Sequence, residues 1–251
     1  MIITKETIMS EFGLLGRNIG YSFSKSYFSE KFVSERLPFT YENFDIQQIR
    51  EFEEVLSKNP ELKGLSVTIP YKEKVISYLN EIDSIAQEIG AVNTIKIFDD
   101  HSLKGFNTDY WGFQKALEVF PPLEKKNALI LGTGGASKAI AFALKNMGFD
   151  LKFVSRNASV EALSYSQLNK ELIETHFFIV NCTPLGTFPN ITDCPSIPYN
   201  YINHNHLLFD LIYNPSETEF LKRGRMRGAK TSNGLKMLQY QAERAWDIWN
   251  T

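Results

Sequence analysis

The stretch "NALILGTGGASKAIAFALKNMG", Asn127 to Gly148, decides the fold. It opens with Ala128 to Leu131, a short continuous apolar run of the kind that a strand covered on both faces requires. A glycine-rich turn follows, then a helical pattern that sets Ala139, Phe142, Ala143 and Met147 on one face. Strand, glycine turn and helix in that order form a dinucleotide-binding arrangement. Gly132 permits the tight turn, and Gly134 and Gly135 let backbone amides approach a pyrophosphate at the helix N-terminus. Ser137 stands where the third glycine of the fingerprint is usual, so the match is imperfect.

The next strand, "LKFVSRN", refines the cofactor. A site selective for NAD places Asp or Glu at its end to bond the ribose 2′-hydroxyl, and here Ser155 and Arg156 stand instead. A guanidinium offers paired donors to a 2′-phosphate, which favours NADP. Two further strands are expected, Phe177 to Cys182 and Leu207 to Tyr213. Asn181, Thr183 and Tyr213 at their ends suit the ligand crevice that lies beyond the carboxyl edge of a parallel sheet. Between those strands, Phe188 to Asn205 is rich in Pro, Asn and Ser and reads as loop.

Upstream, strands alternate with helices: strand Phe12 to Leu15, helix Ser26 to Arg36 burying Phe28, Phe32 and Val33, strand Thr40 to Phe44, and helix Ile46 to Leu56. In "GLSVTIPYKEKV", Gly64 to Val75, Leu65, Val67 and Ile69 alternate with Ser66 and Thr68, so a half-buried strand presents two hydroxyls. Pro70 stops it, and Lys72 is expected in the first turn of a helix over Tyr71 to Leu79. A lysine is poorly placed there against the positive end of the helix dipole. Read alone, it is an ordinary solvated side chain. After a short helix at 82 to 89, "AVNTIKIFDDHSLKGFNTD" reads as a hairpin turning at Asp99 to Ser102. Symmetric pairing sets Asn93 opposite Thr108 and beside Asp109, where amide, hydroxyl and carboxylate converge. Asp109 serves equally well as the N-cap of a helix from Trp111 to Phe120.

The last helix, "NGLKMLQYQAERAWDIW", carries Leu235, Leu238, Ala242, Ala245 and Trp249 on one face, with Gln241 on its edge. A buried amide there needs partners, from the core or from a ligand. The 251 residues suffice for one or two domains, and 27 basic against 29 acidic residues give a net charge of −2. That balance offers no footprint for nucleic acid or an anionic membrane, so the expected partner is a small molecule. No apolar run is long enough to span a bilayer, and "MIITKETIMSEFG" has no secretory apolar region, so a cytoplasmic protein is expected. Met9 as an alternative start would leave residues 1 to 8 as an extension, and residues 1 to 10 are expected to be disordered. Cys182 and Cys194 lack CxxC spacing and read as reduced thiols. His101, His176, His204 and His206 form no HxxxH pair, so no metal site is expected.

Six motifs in one order now carry a resemblance: "GYSFSKSYF" with Ser22 and Ser24, "VTIPYK", "GAVNT", "NTD", "GTGGAS" and "GLKMLQYQA". The chain resembles the shikimate dehydrogenase family, with its quinate-active members, over its whole length after the first ten residues. The resemblance implies an α/β protein of two domains: substrate-binding and catalytic residues 1–108, a Rossmann-like NADP-binding domain at 109–232, and a helix at 233–251 that returns to the first domain. It implies NADP-dependent, reversible reduction of 3-dehydroshikimate to shikimate on the pathway to chorismate and the aromatic amino acids, by a monomer or a homodimer. It further implies that Ser22, Ser24, Ser66, Thr68, Asn93, Asp109, Tyr213 and Gln241 bind substrate, with Lys72 and Asp109 as the catalytic pair. The cofactor would meet Gly132, Gly134, Gly135, Ala136, Ser155, Arg156, Asn181, Thr183, Leu211 and Gly234, with Met237 near the nicotinamide. Tyr21, Lys25 and Ser66 depart from the histidine, proline and asparagine common at those places. Retention of both serines, and the missing acid after the second strand, favour the NADP-linked shikimate enzyme over a quinate enzyme. A non-catalytic NADP sensor has no need to keep Lys72, Asp109 and a hydroxyl-rich pocket together.

Overall fold

The computed structural model describes residues 11–20, 23–121 and 125–251, so the expected disorder of residues 1 to 10, and with it Tyr21 and Ser22, lies outside the described residues. The chain divides into two compact units, residues 1–108 with 242–251, and residues 109–241.

The first unit contains β1 (Phe12–Gly16), α1 (Phe23–Ser34), β2 (Tyr41–Asp45), α2 (Phe52–Lys58), β3 (Gly64–Val67), β4 (Glu81–Ile82), α3 (Ser84–Ile89), β5 (Thr94–Ile97) and β6 (Leu103–Phe106). Its sheet runs β2-β1-β3-β5-β6-β4. β1 is parallel to β2 and β3, whereas β5 is antiparallel to β3 and β6. One face buries Leu15, Leu65, Val67, Tyr71 and Ile95 against α2 and α3. The other buries Phe12, Phe28, Phe32 and Tyr41 against Ala242, Ala245 and Trp249. Trp249 seals that face, because its Nε1 donates to the Ile95 carbonyl at 2.9 Å and its ring covers Gly64.

Several sequence expectations shift. Val33 is 80 % exposed rather than part of the α1 core face. Every residue of β3 is buried, so Ser66 lies inside rather than on a wet face, and the strand ends at Val67, which leaves Ile69 out of the core. The helix expected at 71 to 79 is a 3-10 turn over Lys74–Tyr78. Lys72 therefore precedes it in a turn, and no α-helix dipole opposes its charge. Ile46 to Leu56 also begins late, with a 3-10 turn at Ile49–Glu51 closed by the Glu51 carboxylate accepting the Gln48 N–H at 2.9 Å.

The second unit contains α4 (Asp109–Leu117), β7 (Asn127–Leu131), α5 (Gly135–Asn146), β8 (Asp150–Ser155), β9 (Ala162–Ser164), α6 (Lys170–Thr175), β10 (Phe178–Asn181), β11 (Leu207–Asp210), α7 (Glu219–Met226), β12 (Lys230–Ser232) and α8 (Leu235–Trp249). Its sheet, β12-β11-β10-β7-β8-β9, is parallel throughout. Residues 127–131 become its central strand because four successive buried apolar side chains can be covered on both faces only there. α4 and α5 pack on one side, where Phe113 meets Phe209 edge-on at 5.0 Å. Burying such a ring contributes roughly 1.5–3 kcal/mol. Ile173, Phe220 and Leu221 of α6 and α7 cover the other side.

The division between the units falls inside α8, at Gln241 and Ala242, rather than at 233. Met237 belongs to the core of the second unit, while Ala242, Ala245 and Trp249 belong to the first. A single amphipathic pattern therefore serves two cores in turn.

Candidate active site

In the first unit the carboxyl ends of β1, β3 and β6 and the start of β5 bring polar residues to one end of the sheet. Asn93 and Thr108 are both buried and answer each other. Asn93 Nδ2 donates to Thr108 Oγ1 at 3.0 Å, and the Thr108 N–H donates to Asn93 Oδ1 at 2.7 Å. The ladder pairs Thr94 with Phe106, one position off the symmetric pairing expected, so the meeting of Asn93 and Thr108 is a side-chain bond past the ladder's end. Thr94, fully buried, adds its hydroxyl to Asn93 Oδ1 at 3.1 Å. The Val67 N–H donates to the Asn93 carbonyl at 2.7 Å, and the Val92 N–H donates to the Lys72 carbonyl at 2.7 Å. These two backbone bonds fix Ser66, Thr68 and the Lys72 turn beside the Asn93–Thr108 pair.

The serine loop is held from β2. Asp45 accepts the Asn18 and Ile19 N–H groups at 2.9 and 3.2 Å, and Asn43 Nδ2 donates to the Ile19 carbonyl at 3.2 Å. Ser24 then enters α1, buried, while Ser22 lies outside the described residues. Sequence reading missed Asn43 and Asp45; their only signal was polar residues closing a short strand.

In the second unit β7, β8 and β9 run one way from the centre and β10, β11 and β12 the other, so the crevice of this sheet opens between β7 and β10. The glycine turn sits there. Gly132 has φ +107°, and a Cβ on it would lie 3.2 Å from both the Cys182 carbonyl oxygen and Thr183 Cγ2. Gly134 caps α5 without any side-chain hydrogen bond and has open space around it. Ser137, at the place of the third glycine, is fully buried and turns its hydroxyl back to the Gly134 carbonyl at 2.6 Å, leaving the helix entrance clear above Gly135 and Ala136. Ser155 bonds the Asn157 carbonyl, Arg156 is exposed, and among the described residues no carboxylate pairs with that guanidinium. Uncapped amides and an available guanidinium fit the pyrophosphate and 2′-phosphate of NADP.

Asn181, expected at the cofactor, is tied into a buried hydrogen-bond network. It is fully buried, and its Oδ1 accepts the Thr183 N–H at 3.0 Å and Thr183 Oγ1 at 2.7 Å. Its Nδ2 donates to Asp210 Oδ1 at 3.0 Å. Asp210, missed at the sequence level as the last residue of an apolar strand, also accepts the Ile212 N–H at 3.0 Å and Thr218 Oγ1 at 2.6 Å. Burial raises its carboxyl to about 6 against the lowering effect of these bonds. The same burial, reinforced by the charges of Asp210 and Asp109, pushes the Cys182 thiol up, so it is inert at neutral pH. β11 stops at Asp210, which leaves Leu211 and Tyr213 in the following loop instead of the strand expected to reach Tyr213. The Gly234 N–H fastens that loop to α8 through the Ile212 carbonyl at 3.0 Å.

Asp109 is the first residue of α4, which ends at Leu117, so it starts the helix rather than capping one from Trp111. One turn on, at Gly112, a Cβ would lie 2.5 Å from the Met237 carbonyl oxygen and 2.9 Å from the Gln241 N. The bare glycine lets α8 touch α4, and this contact, invisible in the sequence, sets Met237 and Gln241 against the helix that opens with Asp109. Among the described residues no group of three or more His, Cys, Asp or Glu side chains could hold a metal ion. No helix there is long and apolar enough to cross a membrane.

Residues 14–95 match the family described as the shikimate dehydrogenase substrate binding domain. The chain is 39 % identical over 249 residues to the shikimate dehydrogenase (NADP(+)) of Clostridium botulinum, covering 94 % of this chain and 95 % of that protein. The chain belongs to the shikimate dehydrogenase family. Its fold matches the Thermus thermophilus shikimate 5-dehydrogenase solved with NADP(H) and shikimate, at 30 % identity and a TM-score of 0.85 over 96 % of this chain and 93 % of that one. A shikimate dehydrogenase solved with NADP+ matches at 34 % identity and a TM-score of 0.83, over 96 % and 90 % of the two chains.

Against the family pattern, Lys25 in place of proline is accounted for by an ion pair, its Nζ lying 2.5 Å from Glu42 Oε2 of β2, which ties the start of α1 to the sheet. Ser66 in place of asparagine shortens a side chain on a wholly buried strand. Tyr21 lies outside the described residues.

Proposed function

We propose that this member of the shikimate dehydrogenase family catalyses the NADP-dependent, reversible reduction of 3-dehydroshikimate to shikimate, working in the cytoplasm. The observation that carries the reading is the hydrogen-bonded connection from the Lys72 carbonyl to Val92, and from Asn93 next to it to Thr108, the residue before Asp109. It gives the lysine's turn and the Asn93–Thr108 pair one hydrogen-bonded support. Such support is what proton transfer at a fixed distance needs.

Gly132, Gly134, Gly135 and Ala136 would hold the pyrophosphate of NADPH and Arg156 its 2′-phosphate, and the bound cofactor would supply the hydride. Lys72 Nζ then delivers a proton to the substrate oxygen on which negative charge develops, and recovers it in the reverse direction. Asp109 orients the ammonium and accepts a substrate hydroxyl, while Ser22, Ser24, Ser66, Thr68, Asn93, Tyr213 and Gln241 hold the remaining oxygens. Thr183 and Met237 face the cofactor, the former positioned by Asn181 and the latter by the α4–α8 contact. A spectrophotometric assay of NADP+ reduction with shikimate and with quinate, repeated with NAD+, tests the reading. Efficient turnover of shikimate with NADP+ is expected, and preference for quinate with NAD+ would transfer the chain to the quinate branch.

A further inference from the structure

Tyr41, the first residue of β2, is 2 % exposed, and its ring stacks on Phe28 with centroids 4.7 Å apart and planes 13° from parallel. Phenylalanine would pack there equally well. The hydroxyl is what packing leaves unexplained: Oη is buried and has no hydrogen-bond partner. A phenol withdrawn from water without a partner lowers the stability of the free protein, so its retention calls for a reason outside that state. Burial holds the group well above its ordinary pKa, so it stays protonated and can donate. The hydroxyls of Ser66 on β3 and Ser24 on α1 offset part of that rise, though neither is in ordinary hydrogen-bonding geometry with Oη.

Both serines are themselves buried, and both are assigned to substrate in the function proposed above, on which this inference rests. A serine hydroxyl has a free rotor, and one that is not fixed from behind spends its proton in several directions. Once a substrate oxygen accepts a hydrogen bond from the serine hydroxyl, the serine oxygen becomes a stronger acceptor, because hydrogen bonds in a chain polarise one another. The idle phenol then has a partner. We propose that Tyr41 is a positioning residue of the substrate pocket, its one O–H proton shared between the Ser66 and Ser24 oxygens in the bound state and so aiming the serine protons at the substrate's anionic and hydroxyl oxygens.

The test is Tyr41→Phe in the full chain, with shikimate as the varied substrate and NADP+ at saturation. KM for shikimate should rise about tenfold, the loss expected when a hydrogen bond to a polar chain is removed, with kcat within about twofold. NADP+ affinity should be unchanged, and the thermal midpoint equal or higher, since an unpartnered hydroxyl has gone. A tyrosine with only a packing role would leave KM alone. In a Ser24→Ala/Ser66→Ala background the same change should add nothing, because nothing is left to aim. A folded Tyr41→Phe enzyme with KM within twofold of wild type overturns the inference alone, as does a tenfold rise that persists in the double-serine background. Wild type that neither binds nor oxidises shikimate overturns the function and the inference together.

Discussion

Replacing Asp210 by Asn removes a charge from the buried junction of β10 and β11 while keeping its shape. The amide oxygen can still accept from Asn181 and Ile212, and the amide nitrogen faces the Thr218 hydroxyl, which is able to accept. In the folded wild type, desolvation lifts the carboxyl from 3.8 to about 6, overcoming its hydrogen bonds. The sign follows from linkage: below roughly pH 4 both folded and unfolded chains hold the proton, and the group's contribution to stability is fully present. Between there and about pH 6 the unfolded chain ionises first, so stability falls as pH rises, and above that range the loss is complete. A separation of about two pH units corresponds to ~3 kcal/mol at 1.36 kcal/mol per unit. The stability difference, Asp210→Asn minus wild type, should therefore grow by ~2–3 kcal/mol between about pH 4 and pH 7. Cys182 stays neutral over that range, and His176 and His206, which burial pushes down, are present in both proteins and cancel in the difference. Urea unfolding followed by tryptophan fluorescence at several pH values measures it. A difference that stays constant to within about 0.5 kcal/mol would mean that the carboxyl titrates as a solvated one and that its burial exacts no electrostatic cost.

Lys72→Met keeps the apolar stem and removes the proton carrier, so turnover of shikimate should fall by roughly 10²–10⁴ while NADPH affinity is preserved; a folded variant within a few-fold of wild type would reduce Lys72 to a solvated side chain. Adding Asp109→Asn to it should worsen turnover little further, because the two act as a unit, and losses that simply multiply in steady-state kinetics would separate their roles. Arg156→Gln should weaken NADPH binding far more than NADH binding in fluorescence titrations, and equal losses would remove the guanidinium from the 2′-phosphate. Gly112→Ala places a methyl against the backbone of Met237 and Gln241, which cannot swing aside. A stability loss of ~2–3 kcal/mol in chemical denaturation and a raised KM are expected, and an alanine variant indistinguishable from wild type would show that α4 and α8 have room to spare.

The sequence by itself determined the second unit's sheet and its glycine turn, because a doubly covered parallel strand must be continuously apolar and a tight turn onto a helix must be glycine: both demands act on neighbours in the chain. It also carried the hairpin that joins Asn93 to Thr108, and the serine-bearing strand β3, whose types and spacing were legible even where the register slipped by one and the wet face proved buried. Only the tertiary structure decided the rest. Asp210 looks like the polar end of an apolar strand until Asn181 and Thr218, far apart in sequence, converge on its two oxygens. Gly112 is an unremarkable helical glycine until α8 arrives against it, and nothing in the sequence shows that the Asn181 amide bonds both Thr183 and Asp210. Tyr41 reads as a β-strand aromatic until its hydroxyl is seen idle before two serines from other elements. Periodicity reports which face of a single element is buried. It is silent about which distant group occupies the space opposite.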